Sequence, residues 1–118
     1  MTVTVVGISF HTAPIELRER AAVSAGEVPA TLQRIQGEFP GSELVLVSTC
    51  NRTELYTAGI DVGAGKRRLI QMLLKREPGL HPSDIEKHFY VKSGLEAAEH
   101  LLAVAASLDA MVVGETEI

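Results

Sequence analysis

The residues best suited to chemistry form one short segment, in which an apolar run ends at the chain's sole cysteine. Cys50 follows the apolar residues 44–47 after Ser48 and Thr49, and it precedes Asn51, Arg52 and Glu54. A thiol at a strand end, beside an amide, a guanidinium and a carboxylate, is typical of a nucleophile whose neighbours hold a polar substrate. The alternative is a small core residue, since free cysteines are among the most buried residue types. The polar neighbours favour covalent chemistry.

A working thiol needs a base or a positive neighbour, because a cysteine with a pKa of about 8.5 is mostly protonated at neutral pH. Arg52 is the nearest cation in the sequence, and His100 is the best candidate base. On the predicted last helix, His100 shares a small and polar stripe with Glu96, Ala103 and Ser107, which leaves room for a ligand over the imidazole. The alternative for His100 is a surface or partly packed side chain.

Other chemical motifs are incomplete. The remaining histidines, His11, His81 and His88, have no comparable setting, and the histidine spacing suits no metal site. The segment 63–67 resembles the end of a phosphate-binding loop, but Arg67 stands where Ser or Thr is needed, so the segment is interpreted as a loop. No G-x-G-x-x-G fingerprint follows a strand, and five aromatic residues are too few for base-stacking platforms.

Length and composition indicate one domain of 118 residues, long enough to bury a core. One cysteine excludes an intramolecular disulfide and makes a reducing, cytoplasmic compartment the default. No segment has signal-peptide character or the roughly 18 apolar residues of a membrane span. The net charge of −4 argues against a wholly basic nucleic-acid surface. Five of the eleven Lys and Arg residues nevertheless lie in one predicted helix, at 66–68, 75 and 76. A solvated helix face is favoured for them over a phosphate-binding ridge.

Hydrophobic periodicity predicts a β-α-β-β-α-β order followed by a helix. The four strands are predicted at 3–8, 43–47, 53–58 and 89–91. Helices are predicted from capping boxes at Ser24/Glu27 and Ser93/Glu96 and from an apolar stripe over 69–74, with 59–65 as a loop and short helical turns near 15–20 and 83–86. The resulting fold is α+β, a ferredoxin-like split βαβ with a four-stranded antiparallel sheet covered by helices on one face. The segment 115–118 carries no helix stop, so we expect the natural protein to continue from the start of a long linking helix.

Three segments resemble the N-terminal catalytic domain of the glutamyl-tRNA reductase family. They are GISFHTAPIELRE at 7–19, STCNRTELY at 48–56 and EHLLAVAASLDAMVVGE at 99–115. The resemblance implies that residues 1–118 form this one domain, and that the family's NADPH-binding and dimerisation domains are absent from the chain. It also implies a homodimer for the full-length protein.

The family reduces glutamyl-tRNA with NADPH to glutamate-1-semialdehyde, the first step of the route to 5-aminolevulinate and tetrapyrroles. The resemblance implies that Cys50 attacks the aminoacyl ester and holds glutamate as a thioester. Glutamyl-tRNA is then the substrate, and glutamate-1-semialdehyde aminomutase is the expected acceptor of the product. We expect the fragment to be acylated but not to complete the reduction.

The resemblance also assigns roles to individual residues. Thr49, Asn51 and Arg52 match substrate-contacting positions, with Arg52 as the partner of the substrate's γ-carboxylate. His100 matches a histidine for proton transfer or leaving-group polarisation, and Glu115 falls in a substrate-side segment. Thr53 and Glu54 are interpreted as strand-start and network residues. Three positions depart from the family pattern and bear on recognition of the glutamate moiety: Ala110, Thr116 and Glu117.

Two alternatives remain open. The first is a noncatalytic ferredoxin-like module that binds RNA or a small ligand through the basic helix. The second is a thiol hydrolase or glutaminase, which needs a third group to orient His100; Glu96 is the candidate that the sequence offers.

Overall fold

A computed structural model of the protein describes residues 2–74 and 86–106. The described elements are β1 (Val3–Ser9), α1 (Ile15–Ala21), α2 (Val28–Glu38), β2 (Glu43–Ser48), β3 (Arg52–Ala58), α3 (Val62–Leu73), β4 (Tyr90–Ser93) and α4 (Leu95–Ala105). This order confirms the β-α-β-β-α-β pattern with a further helix. The predicted turn at 83–86 lies mostly outside the described residues. The sequence also predicts that the helix over 69–74 ends before Pro78 and that the last helix ends at Gly114, and both positions lie outside the described residues.

The four strands form one sheet in the order β2-β3-β1-β4, with every neighbouring pair antiparallel. This is the strand order of the ferredoxin-like split βαβ, so the predicted fold class is confirmed. The two central strands are rich in β-branched residues and almost fully buried, whereas the edge strands alternate. Central strands buried throughout their length indicate that both faces of the sheet are covered.

The first face of the sheet carries the main hydrophobic core. Val6, Ile8 and Leu55 point from the sheet into this core, where each is fully buried. The helices close it with side chains spaced along their inner faces: Leu17, Ala21, Ile35, Leu69, Ile70 and Leu73. Burying each of the larger side chains contributes about 1.5–3 kcal/mol, so this layer holds α1, α2 and α3 against the sheet.

The second face of the sheet is covered by α4, whereas the sequence predicted helices on one face and did not place the last helix. Ala97 of α4 is fully buried and packs with Val5 and Tyr56, and its small side chain lets the helix approach the strands closely. Gly94 begins α4 with φ of +61°, a left-handed conformation that glycine adopts without steric cost. The chain can therefore reverse sharply after β4 and lay α4 across the sheet.

Two details of the helix starts differ from the sequence predictions. The Ser93/Glu96 capping box is wrong: the N-cap is Gly94, and the Ser93 hydroxyl pairs with that of Thr4 at 3.0 Å. At α2 the Glu27 carboxylate does accept from the Ser24 backbone N–H at 3.3 Å, but the helix begins only at residue 28.

The predicted loop over 59–65 is also wrong in its second half. Asp61 caps α3 by accepting from the Ala64 N–H at 3.3 Å, so the helix begins at Val62. Glycines in this segment are typical of a loop. Gly65 instead serves close packing, because a Cβ there would lie 3.2 Å from Cε1 of Phe39.

Candidate active site

The thiol is displayed on a tight loop between β2 and β3. Cys50 is exposed, which rules out the core alternative. The loop is closed by the Thr49 N–H donating to the Arg52 carbonyl at 2.8 Å, and by the Asn51 N–H donating to the Thr49 hydroxyl at 3.2 Å. The Phe10 N–H donates to the Asn51 carbonyl at 2.9 Å and anchors the loop to the end of β1. The sulfur is therefore held at a fixed place and open to solvent.

Arg52 begins β3 directly after this loop, yet its side chain is only 1% exposed. Its Nη1 lies 3.6 Å from Oε2 of Glu54, and its guanidinium carbon lies 6.0 Å from the centroid of the Phe10 ring. Aromatic and carboxylate partners suit a guanidinium removed from water. A substrate carboxylate that binds Arg52 would thus share the guanidinium with Glu54. The role of Arg52 in substrate recognition stays a prediction.

Glu54 is the centre of the polar network on the second face of the sheet. Its carboxylate is fully buried and accepts hydrogen bonds from the Tyr56 hydroxyl at 2.9 Å, from the Tyr90 hydroxyl and from Nε2 of His100. A buried carboxylate requires such partners, because an isolated charge in the interior is strongly unfavourable. Glu54 was interpreted from the sequence as a network residue, but not as the partner of His100.

Glu54 fixes the orientation of the His100 imidazole. A carboxylate oxygen that accepts requires the hydrogen on Nε2, so in the neutral ring Nδ1 keeps its lone pair. This supplies the orienting group that the sequence sought in Glu96, and the candidate Glu96 is instead exposed. The pairing spans 46 residues and joins α4 to β3.

Tyr90 completes the surroundings of Glu54 and His100. Burial raises the pKa of Tyr90 well above its usual value, and the adjacent Glu54 carboxylate raises it further. The phenol therefore stays protonated and remains a hydrogen-bond donor to Glu54. Its ring lies edge-on to His100 with 5.4 Å between the ring centroids. No sequence argument had selected Tyr90, because its partners come from β3 and α4.

Gly7 provides the space in which this network forms. In the sheet register Gly7 of β1 lies between Glu54 of β3 and Tyr90 of β4. A Cβ at Gly7 would lie 2.8 Å from Cγ of Glu54 and 2.8 Å from the Thr53 carbonyl oxygen. A glycine inside a strand of β-branched residues is the one signal that marks such a close approach in the sequence.

We expect Gly7→Ala to displace the Glu54 side chain and to lower the free energy of unfolding by about 1–3 kcal/mol, because the added methyl group has no room. Urea unfolding followed by circular dichroism measures the change. Gly26→Ala is the matched control, since a Cβ at Gly26 has no heavy atom within 4 Å. Equal stabilities for the two variants would contradict the close approach at Gly7.

Two of the three basic side chains of α3, those of Arg67 and Arg68, are engaged with acidic neighbours. Nη2 of Arg67 lies 3.2 Å from Oε2 of Glu86, and Nε of Arg68 donates to Oε2 of Glu38 at 2.6 Å. The hydrogen bond that Arg68 donates to Glu38 raises the pKa of Arg68 above its already high value. This pairing supports a solvated helix face over a phosphate-binding ridge. Two further basic residues of that helix, Lys75 and Arg76, lie outside the described part of the chain.

The predicted site residues thus fall into three groups. Thr49, Cys50 and Asn51 form the thiol loop, whereas Arg52 and His100 meet at Glu54. The remaining candidate, Glu115, lies outside the described residues, as do the departures at 110, 116 and 117.

Within residues 2–74 and 86–106, no three His, Cys, Asp or Glu side chains are grouped closely enough to hold a metal ion. None of the helices described there has both the length and the apolar character needed to cross a bilayer.

Comparisons with known proteins agree on one family. The profile described as "Glutamyl-tRNAGlu reductase, N-terminal domain" matches residues 6–118. The glutamyl-tRNA reductase of Syntrophotalea carbinolica is 41% identical over 119 residues, covering 100% of this chain and 26% of the relative. That of Magnetococcus marinus is 39% identical over 118 residues, covering 100% of this chain and 28% of the relative.

A solved structure, glutamyl-tRNA reductase from Methanopyrus kandleri, superposes with a TM-score of 0.70 at 30% identity. The match covers 96% of this chain and 24% of that one. The chain therefore spans about a quarter of the length of the relatives that it matches.

Proposed function

The chain belongs to the glutamyl-tRNA reductase N-terminal domain family, and we propose that it performs the acyl-transfer step of an NADPH-dependent reductase acting on glutamyl-tRNA. The observation that supports this proposal is the exposed Cys50 on its anchored loop. Arg52 directly follows that loop and belongs to the network with Glu54 and His100. A noncatalytic binding module has no need for a buried carboxylate that orients a histidine. The proposed product pathway is the formation of glutamate-1-semialdehyde for tetrapyrrole synthesis.

In the proposed step, the Cys50 thiolate attacks the carbonyl carbon of the ester that joins glutamate to tRNA. A carbon–sulfur bond forms, the bond to the 3′-oxygen of tRNA breaks, and that oxygen takes up a proton. His100 is proposed to take the proton of the Cys50 thiol at Nδ1 as the thiolate forms, and then to donate it to that oxygen or to polarise the leaving group with it, while Glu54 holds Nε2. Glutamate then remains on Cys50 as a thioester.

Arg52, Thr49 and Asn51 are proposed to select glutamate. Arg52 carries the charge that a γ-carboxylate requires, and its position at the first residue of β3 places it next to the thiol loop. Glu115 is proposed to contribute from the substrate side.

Reduction of the thioester belongs to the longer protein in this proposal. NADPH would supply the hydride, and no G-x-G-x-x-G dinucleotide fingerprint follows a strand in the sequence. The isolated chain is therefore expected to stop at the thioester. We also propose that the product passes to an aminomutase, that the protein is cytoplasmic and that the full-length protein is a homodimer.

Incubation with glutamyl-tRNA followed by mass measurement of the intact protein tests the proposed function. We expect one glutamyl adduct on the wild type and none on Cys50→Ser, since the chain has no second thiol. Transfer RNA carrying glutamine is the substrate control and should acylate far more slowly, because it lacks the carboxylate proposed to pair with Arg52. No adduct on the wild type, or the same adduct on Cys50→Ser, would reject the proposal.

A further inference from the structure

A second arginine, Arg18 of α1, contacts the thiol loop. Its Nη1 donates to the carbonyl oxygen of Cys50 at 3.3 Å, a contact between residues 32 positions apart. The side chain is half-buried, and its Nε–H is buried without a hydrogen-bond partner in the described structure. An unsatisfied buried donor costs about 1–3 kcal/mol, so its retention calls for a functional reason.

The fold holds Arg18 at this place through its neighbours. Leu17 and Ala21 are buried in the main core and set the rotation of α1 about its axis. Just beyond α1, the Val23 N–H donates to the Ser48 hydroxyl at 2.9 Å, which ties this segment to the end of β2. The Ser48 hydroxyl in turn lies 3.0 Å from that of Thr53, on the other side of the thiol loop. The guanidinium is therefore pre-positioned beside the loop.

Three segments adjoin the thiol loop and carry charged residues: the end of β1, the start of β3, and α1. His11 follows β1, and Arg52 and Glu54 belong to β3. The charged residues of α1 are those at 16, 18, 19 and 20. Arg52 is paired with Glu54 below the surface, whereas Arg18 contacts the cysteine residue itself.

We propose that Arg18 is a positioning residue that holds the thiol loop and places a permanent positive charge beside Cys50, so that more of the thiol is thiolate at neutral pH. The inference rests on the proposed role of Cys50 as acyl acceptor. A guanidinium keeps its charge at every pH relevant to the protein, and a nearby cation favours the thiolate, which is the nucleophilic form. The contact to the Cys50 carbonyl keeps charge and sulfur together while the loop carries substrate.

The test is the pH dependence of alkylation of Cys50 by iodoacetamide, which reports on one thiol because the chain has one cysteine. For Arg18→Gln we expect the midpoint of the rate profile to rise by about 0.5 to 1 pH unit, and the rate at neutral pH to fall about threefold to tenfold. Arg18→Met removes the charge but keeps the aliphatic stem, and it should give the same shift if Arg18→Gln does not fold. Arg18→Lys should leave the midpoint close to that of the wild type.

Arg20→Gln is the matched control, because Arg20 is an exposed cation on the same helix. A purely structural role for Arg18 would change the rate at all pH values without moving the midpoint, and that result would overturn the inference. An equal shift in Arg20→Gln would overturn it as well.

The outcome is separable from that of the proposed function. A shifted midpoint in a chain that glutamyl-tRNA does not acylate would support the inference and reject the proposed function. Normal acylation with an unmoved midpoint would do the reverse.

Discussion

Glu54→Gln is expected to slow acylation of Cys50 by glutamyl-tRNA about 100-fold at saturating tRNA, with little change in the tRNA concentration that gives half the maximal rate. The amide has nearly the same volume, but it removes the charge that holds Nε2 of His100. Positioned proton transfer typically contributes a factor of about 10² to 10⁴ to a rate. Loss of the orienting carboxylate should therefore cost a rate factor near the lower end of that range. Single-turnover acylation, quantified by mass measurement, gives both parameters.

Glu96→Gln is the matched control for this prediction. Glu96 lies one helical turn from His100 on α4 and is exposed, so the variant removes an equal charge without touching the network. We expect its rate to stay within about twofold of the wild type, as is usual for surface substitutions. A folded Glu54→Gln variant that acylates at the wild-type rate would show that the carboxylate serves only the packing of α4.

Removal of Arg52, the charged partner of Glu54, is expected to have the largest effect on stability. Arg52→Met should lower the free energy of unfolding by about 3–5 kcal/mol, because it leaves the fully buried Glu54 carboxylate without its cation. Methionine retains much of the apolar stem of arginine, so little of the loss comes from packing. Urea unfolding at constant pH measures the difference.

The double variant Arg52→Met/Glu54→Gln separates charge from shape. If the cost of Arg52→Met arises from an uncompensated carboxylate, replacing that carboxylate by an amide should recover more than half of the lost stability. Additive losses in the double variant would mean that the two side chains contribute independently, contrary to the pairing at 3.6 Å.

The sequence predicted the strands better than the helix starts, and the reason is physical. The β-branched run of β1 and the alternating residues of β3 carry a period-2 pattern that survives without tertiary context. The first turn of α3 contains Gly63 and Gly65, so its propensity indicates a loop. Packing of Gly65 against Phe39 overrides that propensity, and packing is not visible in a local pattern.

The candidate site also has a part that was predictable from the sequence and a part that was not. The thiol loop was predictable because Thr49, Cys50 and Asn51 are consecutive and Arg52 follows them directly. The link from Glu54 to His100 was not, because it depends on α4 crossing the second face of the sheet, which periodicity does not specify. The sequence shows Gly7 among β-branched residues, but the need for a glycine there depends on the register that sets it beside Glu54.

The attachment of α4 gives the site a mechanical property. Ala97 and Val104 are the buried side chains of this helix, and His100 between them carries the polar joint to Glu54. A helix seated on two small apolar contacts can tilt more easily than one with a wide apolar footprint. A change in the angle of α4 would therefore alter the hydrogen bond between the His100 imidazole and Glu54.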